Sequence, residues 1–310
     1  MRRALLVVLL CFFVAFPFLT SCESGSEKGN YITFKDSLSN TVSLDKAPTR
    51  VAVLFSSYAE MWILAGGEVA ITVGESVERG FVDEDTLLVD TGAGKHISVE
   101  QLIAYKPDFV IYSADISAQL DAAKLLMAAG ITSAGFKVED FSEYLSVFRI
   151  MTDITKNEAA YRKYGSELEE KINLLLSQNS SKEKWDILFI RAATSAKATK
   201  AKDTKSHFAA QMLGELGCRN IADDAPILLD GLSIEVILKE NPDFIFISSM
   251  GEEKEVKAYM DSVLSSELWQ NLDAVKNGKC YYLSKDMFHF KPNGDWYEAY
   301  LVLWEILYET

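Results

Sequence analysis

Residues 98–113 read SVEQLIAYKPDFVIYS, and residues 233–248 read SIEVILKENPDFIFIS. The second copy begins 135 positions after the first and holds that offset throughout. Ser98/Ser233, Glu100/Glu235, Pro107/Pro242, Asp108/Asp243, Phe109/Phe244 and Ser113/Ser248 are identical, and most other pairs match apolar with apolar. Each copy reads as a helix, a Pro-Asp turn and a buried strand. A unit that occurs twice in a chain of 310 residues, enough for two modest domains, calls for two related lobes.

The surrounding pattern agrees. Tyr31 to Leu44 reads as a hairpin turning at Ser39-Asn40, and Val51 to Phe55 as a short buried strand. Apolar runs at Val69–Val73, Phe109–Tyr112 and Ile131–Phe136 then alternate with helical spacing at Tyr58–Ala65, Val99–Tyr105 and Ala118–Ala129. Strands alternating with helices predict an α/β lobe with a largely parallel sheet. The alternation resumes at Asp186–Ile190, Phe244–Ile247 and Cys280–Leu283, with helices between them and a last helix at Trp296–Tyr308. Between the lobes, Asp140 to Asn179 contains no Pro and a single Gly, Gly165, with apolar residues near helical spacing. As one helix it would run about 60 Å and read as a strut; the other reading is two helices with a break near Asn157. The expected boundaries are a first lobe over 31–139, a connecting helix over 140–179 and a second lobe over 180–310. Two lobes facing each other create a cleft, the usual place for a small ligand.

The N-terminus says where such a molecule works. Arg2 and Arg3 precede an apolar run of 15 residues, Ala4 to Phe18, too short to span a membrane and right for an export signal. Leu19-Thr20-Ser21-Cys22 follows and resembles the lipobox of bacterial lipoproteins. The resemblance implies a signal peptide over 1–21, lipidation of Cys22, and a tether over 22–30. The mature protein would then be lipid-anchored on the outer face of the cytoplasmic membrane, without spanning it. Two cysteines, Cys218 and Cys280, would remain in the folded part. The exported location permits a disulfide, but the sequence does not show that they meet. The formal net charge is −14, and −16 without the two leader arginines, which argues against nucleic-acid binding.

Taken in order, the segments resemble the substrate-binding proteins of ABC importers for ferric siderophores, haem and cobalamin. Ala47-Pro48-Thr49-Arg50-Val51-Ala52-Val53 looks like that family's opening. Ser56 to Glu60 with Leu64-Ala65-Gly66-Gly67 looks like its first strand-to-helix turn, and the Pro-Asp repeats match its two lobes. Leu216-Gly217-Cys218-Arg219-Asn220-Ile221-Ala222 resembles its glycine–asparagine turn, with Cys218 where a small residue is usual. Ser266-Glu267-Leu268-Trp269, Ala274 to Lys279 and Trp296 to Leu307 resemble its closing segment. The resemblance implies two three-layer α/β lobes joined by a single long α-helix, and a monomer with modest closure. Its partners would be an ABC permease dimer with its ATPase. One glutamate per lobe would enter an arginine pocket on each permease subunit, and the matching positions are Glu100 and Glu235.

The acid excess makes local positive charge informative. Residues 191–207 carry Arg191, Lys197, Lys200, Lys202 and Lys205 against Asp203 alone. A basic rim favours an anionic ligand such as a ferric catecholate or the propionates of haem. The loops expected at the cleft offer Ser56, Tyr58, Arg79, Lys95, His96 and Ser113 from the first lobe. The second offers Arg191, His207, Asp286, Phe288, His289 and Lys291. Tyr58 and Phe288 are aromatic groups able to pack on a chelator or macrocycle. All three histidines fall in these loops without metal-ligand spacing, so hydrogen bonding is the expected role and no metal site is assigned. The sequence lacks G-x-S-x-G, a Walker loop, a Rossmann glycine triplet and H-E-x-x-H. The expectation is therefore a receptor, not an enzyme, with no intrinsic cofactor. Its ligand is an iron chelate, ferric siderophore before haem. Cobalamin or a bare metal is the alternative within this architecture, and a chelatase-like tetrapyrrole enzyme the alternative outside it.

Overall fold

The Pro-Asp repeat has the same structural job in both lobes. The computed structural model describes residues 31–178 and 184–309, so the leader, Cys22 and the tether lie outside the described residues. Lys106 and Asn241, equivalent positions of the repeat, both adopt left-handed φ, 53° and 45°, just after helices Val99–Ala104 and Ile234–Glu240. The proline follows, and then the aspartate turns back. Asp108 accepts the backbone N–H groups of Thr49 and Arg50 at 2.8 Å each. Asp243 accepts the N–H of Asp186 at 2.9 Å. Each aspartate thus ties the start of the repeat's strand to the start of its neighbour.

In the first lobe the strands are β1 (Ile32–Lys35), β2 (Thr41–Leu44), β3 (Val51–Val53), β4 (Ile71–Val73), β5 (Leu87–Asp90), β6 (Phe109–Ser113) and β7 (Ser133–Phe136). The first two form an antiparallel hairpin, as predicted. The rest form a parallel sheet in the order β5-β4-β3-β6-β7. The second lobe has β8 (Asp186–Ala192), β9 (Lys200–Ala201), β10 (Arg219–Asn220), β11 (Phe244–Ser249) and β12 (Cys280–Leu283). Its parallel order is β10-β8-β11-β12, with β9 antiparallel on β8. Alternate residues of the central strands feed opposite faces. Val53, Phe109 and Ile111 enter one buried cluster, while Leu54, Val110 and Tyr112 enter another. In the second lobe Phe189 and Phe246 face one way, Ile190 and Ile247 the other. Each lobe is therefore three-layered, as expected.

The inner clusters of the two lobes are one body. Phe109 and Phe136 of the first lobe and Phe189 and Phe246 of the second belong to a single buried cluster with Tyr144, Phe148, Leu168, Ile172, Trp296 and Leu303. A shared core of this kind resists large hinge motion, because bending would open voids in close-packed side chains.

The continuous rod over 140–179 is corrected. Helix Phe141–Thr155 ends at Lys156, which takes φ 58°, and Asn157 caps a new helix by accepting the N–H of Ala160 at 3.1 Å. The break falls where the two-helix reading had it. The first piece belongs to the first lobe: Thr155 Oγ1 donates to Ala65 O, and Tyr31 donates to Ile154 O. The connector proper runs from Glu158 through a π-helical turn, Arg162–Ser166, to Ser177. The widened turn frees the Tyr164 carbonyl, which accepts the buried Tyr144 hydroxyl at 2.8 Å.

Cys218 and Cys280 are both free. They lie beside β10 and on β12, opposite edges of the second sheet with two strands between them. At about 4.8 Å per strand that separation is far beyond disulfide reach. Among the described residues no helix is long and apolar enough to cross a membrane.

Candidate functional site

Ligands of parallel α/β sheets meet loops at the carboxyl ends of strands, and the positively charged candidates lie there. In the first lobe three such loops are pinned by one buried side chain. Gln119 accepts the Ser113 N–H at 2.7 Å and donates to Leu54 O at 2.7 Å and Gly94 O at 3.0 Å. Gly94 has φ 75°, and a Cβ there would stand 2.3 Å from Leu54 O, so only glycine fits. The pin leaves Lys95 and His96 exposed at the rim. Replacing Gln119 by Leu strands three backbone groups at once. A loss of about 3 kcal/mol is expected, measured by urea unfolding.

A cavity of about 600 Å³ lies between the lobes, lined by Glu60, Glu75, Arg79 and Phe81 of the first and by Asp286, Phe290 and Lys291 of the second, among others. Arg79 Nη1 donates to Ser56 Oγ and Ser57 Oγ at 3.2 Å each, and Nη2 reaches Glu60 Oε2 at 3.4 Å. Ser56 also hydrogen-bonds Glu75. Burial outweighs the attraction within the Glu60–Arg79 pair: it pushes the carboxyl up and the guanidinium down from their usual ranges.

The second lobe contributes further positive charge. Arg191, at the end of β8, is half-buried; its Nε has no partner, and burial alone lowers its pKa. Lys202 is held down by burial and by Arg191. His207 caps helix Phe208–Glu215, its Nδ1 accepting the Ala209 N–H at 3.2 Å, and its ring stacks on Phe208 and lies 4.6 Å from Phe189. Burial, then the charges of Lys291, Arg191, Lys202 and His289, hold it well below the ordinary histidine value. Burial pushes His289 down to about 4, reinforced by Arg191, Lys285, Arg79 and Lys95, two cations from each lobe. Lys291 lies 3.7 Å from Glu139 across the lobe boundary.

The two histidines set an acid limit. An unfolded histidine takes a proton near pH 6.5, whereas folded His289 resists until about 4. Below pH 6.5 the unfolded chain therefore binds more protons, and stability falls as pH drops toward 4. His289 alone contributes a loss of roughly 2 kcal/mol after allowance for its exposure. Melting curves from pH 7 to 4.5 are expected to fall less steeply for His289→Gln than for the wild type.

Two predicted site residues are corrected. Tyr58 is 2% exposed; its hydroxyl donates to Phe136 O at 2.9 Å and its ring stands edge-on to Phe55 and Phe136. Phe288 is fully buried on the core side of its short helix. Both rings are structural, because each belongs to the buried cluster that the two lobes share. Ser113 is also inward, its Oγ accepting the Asp115 N–H at 3.3 Å. Glu60 and Lys285, which line the cavity, and Asn293, which bonds to Ser57 and Glu60 across the lobe boundary, have no local signal in the sequence. Among the described residues no group of three or more His, Cys, Asp or Glu is arranged to hold a metal ion.

Known proteins share this architecture. The chain is 24% identical over 287 residues to the iron(3+)-hydroxamate-binding protein YxeB of Bacillus subtilis (strain 168), covering 87% of this chain and 83% of that protein. A periplasmic binding protein from Veillonella parvula superposes with a TM-score of 0.73 at 16% identity, covering 90% of this chain and 92% of that one. Staphylococcus aureus SirA, solved with staphyloferrin B, gives 0.66 at 18% identity, covering 90% and 97%. The periplasmic binding protein family matches residues 51–287. The chain, with its two three-layer lobes around one cleft, belongs to the periplasmic binding protein family.

Proposed function

We propose that this protein is the substrate-binding component of an ABC importer and receives an anionic iron chelate in its inter-lobe cleft. A ferric siderophore is the first candidate and haem the second. The observation that carries the reading is the gathering of half-buried cations at the cleft, Arg79 and Lys285 against the Phe290 ring and Arg191 with its buried Nε unpartnered, within a chain of net charge −14. Half-buried cations gathered against an acidic background cost stability unless an anion completes them. The relative named for a ferric hydroxamate and the neighbour holding staphyloferrin B support an iron chelate as cargo. Cys22 holds the protein to the outer face of the cytoplasmic membrane, and it acts as a monomer. Glu100 and Glu235, exposed in the first turns of equivalent helices, meet the two permease subunits, which an ATPase drives. Its work is capture and delivery, not catalysis.

The test is titration of residues 31–310 against ferric catecholate, ferric hydroxamate, haem and cobalamin, following the 5 tryptophans. Quenching by the ferric catecholate at micromolar concentration or below is expected. Binding of cobalamin alone, or of none of the four, overturns the iron assignment.

A further inference from the structure

One short stretch of the second lobe, Phe290–Asn293, grips three separate parts of the first. Asn293, fully buried with φ 47°, donates from Nδ2 to Ser57 O at 2.9 Å and Glu60 Oε2 at 2.7 Å. Lys291 faces Glu139. Phe290 faces Arg79, whose guanidinium carbon lies 4.0 Å from its ring centroid and 4.5 Å from that of Phe81. The planar cation is therefore held between one ring from each lobe. The Lys285 ammonium sits 5.4 Å from the same Phe290 centroid.

A ring face attracts a cation through its quadrupole and leaves the charge in place. A carboxylate would fix the same cations but cancel them. Glu60, the carboxylate within salt-bridge reach of Arg79, is itself shared with the Asn293 amide, so its claim on the guanidinium is divided; Glu75 and Asp286 line the same cavity and act on Arg79 more weakly.

We propose that Phe290 is a positioning residue for an anionic ligand: its ring holds one cation of each lobe, Arg79 and Lys285, and presents their charge together across the lobe boundary. The inference rests on the anionic-chelate reading above. It makes selectivity for ligand charge, and not affinity in general, depend on an apolar ring.

The experiment compares wild type, Phe290→Leu and Phe290→Trp with two probes of similar size, a trianionic ferric tricatecholate and a neutral ferric trihydroxamate. Phe290→Leu is expected to weaken the tricatecholate about tenfold and the trihydroxamate less than twofold. Phe290→Trp, which keeps the ring face, is expected to remain within about twofold of wild type for the tricatecholate. Equal losses for both probes in the Leu variant mean a packing role and overturn the proposal, as does a Trp variant as weak as Leu. Lys285→Gln gives an arm independent of packing. Its loss of tricatecholate affinity is expected to shrink when Phe290 is already Leu, and full additivity counts against the shared ring. A wild type that binds no tricatecholate removes the anionic reading itself, whereas one that binds it with unchanged selectivity in Phe290→Leu removes only the role of the ring.

Discussion

Reversing the charge at both Glu100 and Glu235 is expected to abolish uptake while leaving chelate affinity within about twofold of wild type. Both side chains are exposed, and both lie in the first turn of their helices. Their placement is the same in each lobe, because the Pro-Asp turn behind each helix is tied to the neighbouring strand by the same kind of bond. A charge-assisted carboxylate–arginine pair at an interface costs about 2–5 kcal/mol when one partner is lost, and reversal adds repulsion. At 1.4 kcal/mol per tenfold, each single reversal weakens docking by about thirtyfold or more, and the two together by their product. Stimulation of the transporter's ATPase in proteoliposomes, alongside chelate titration, separates the two functions. Lost chelate affinity, or undiminished transport, would refute the docking roles.

The second large effect is at Arg191, where stability and function are expected to move in opposite directions. Its guanidinium is half-buried, its Nε lacks a partner, and its charge helps hold the pKa of Lys202 down. Arg191→Met removes an unpaired buried charge and keeps much of the apolar stem. Its melting temperature is expected to rise by about 2 °C. The same change deletes a donor that an anion would complete, so tricatecholate affinity is expected to fall about thirtyfold to a hundredfold. A variant that melts lower and binds equally well would show that Arg191 serves the fold.

The elements legible from the sequence were those whose signal is local. The strand Cys280–Leu283 and the helix Trp296–Tyr308 fall where the apolar pattern places them. The strand Leu87–Asp90 carries no clear signal because it is short and only partly buried, and the two-residue strands β9 and β10 are too brief to carry a period. The break at Lys156–Asn157 leaves the helical period almost intact on both sides, so periodicity alone could not choose between one rod and two helices. Tyr58 and Phe288 show the complementary limit. A loop residue's position along the chain says that it is near a strand end, but not whether it faces ligand or core.

By itself the sequence determined two related α/β lobes, their order, the place of the basic run and the pair of equivalent glutamates. All of these follow from periodicity, charge and repetition among near neighbours. Tertiary structure alone decided that the lobes share one core, that Cys218 and Cys280 stand at opposite sheet edges, and that Asn293 bonds to Ser57, 236 positions away. Such contacts have no local signature, because the free energy that selects them comes from burying and pairing groups that only the folded chain brings together.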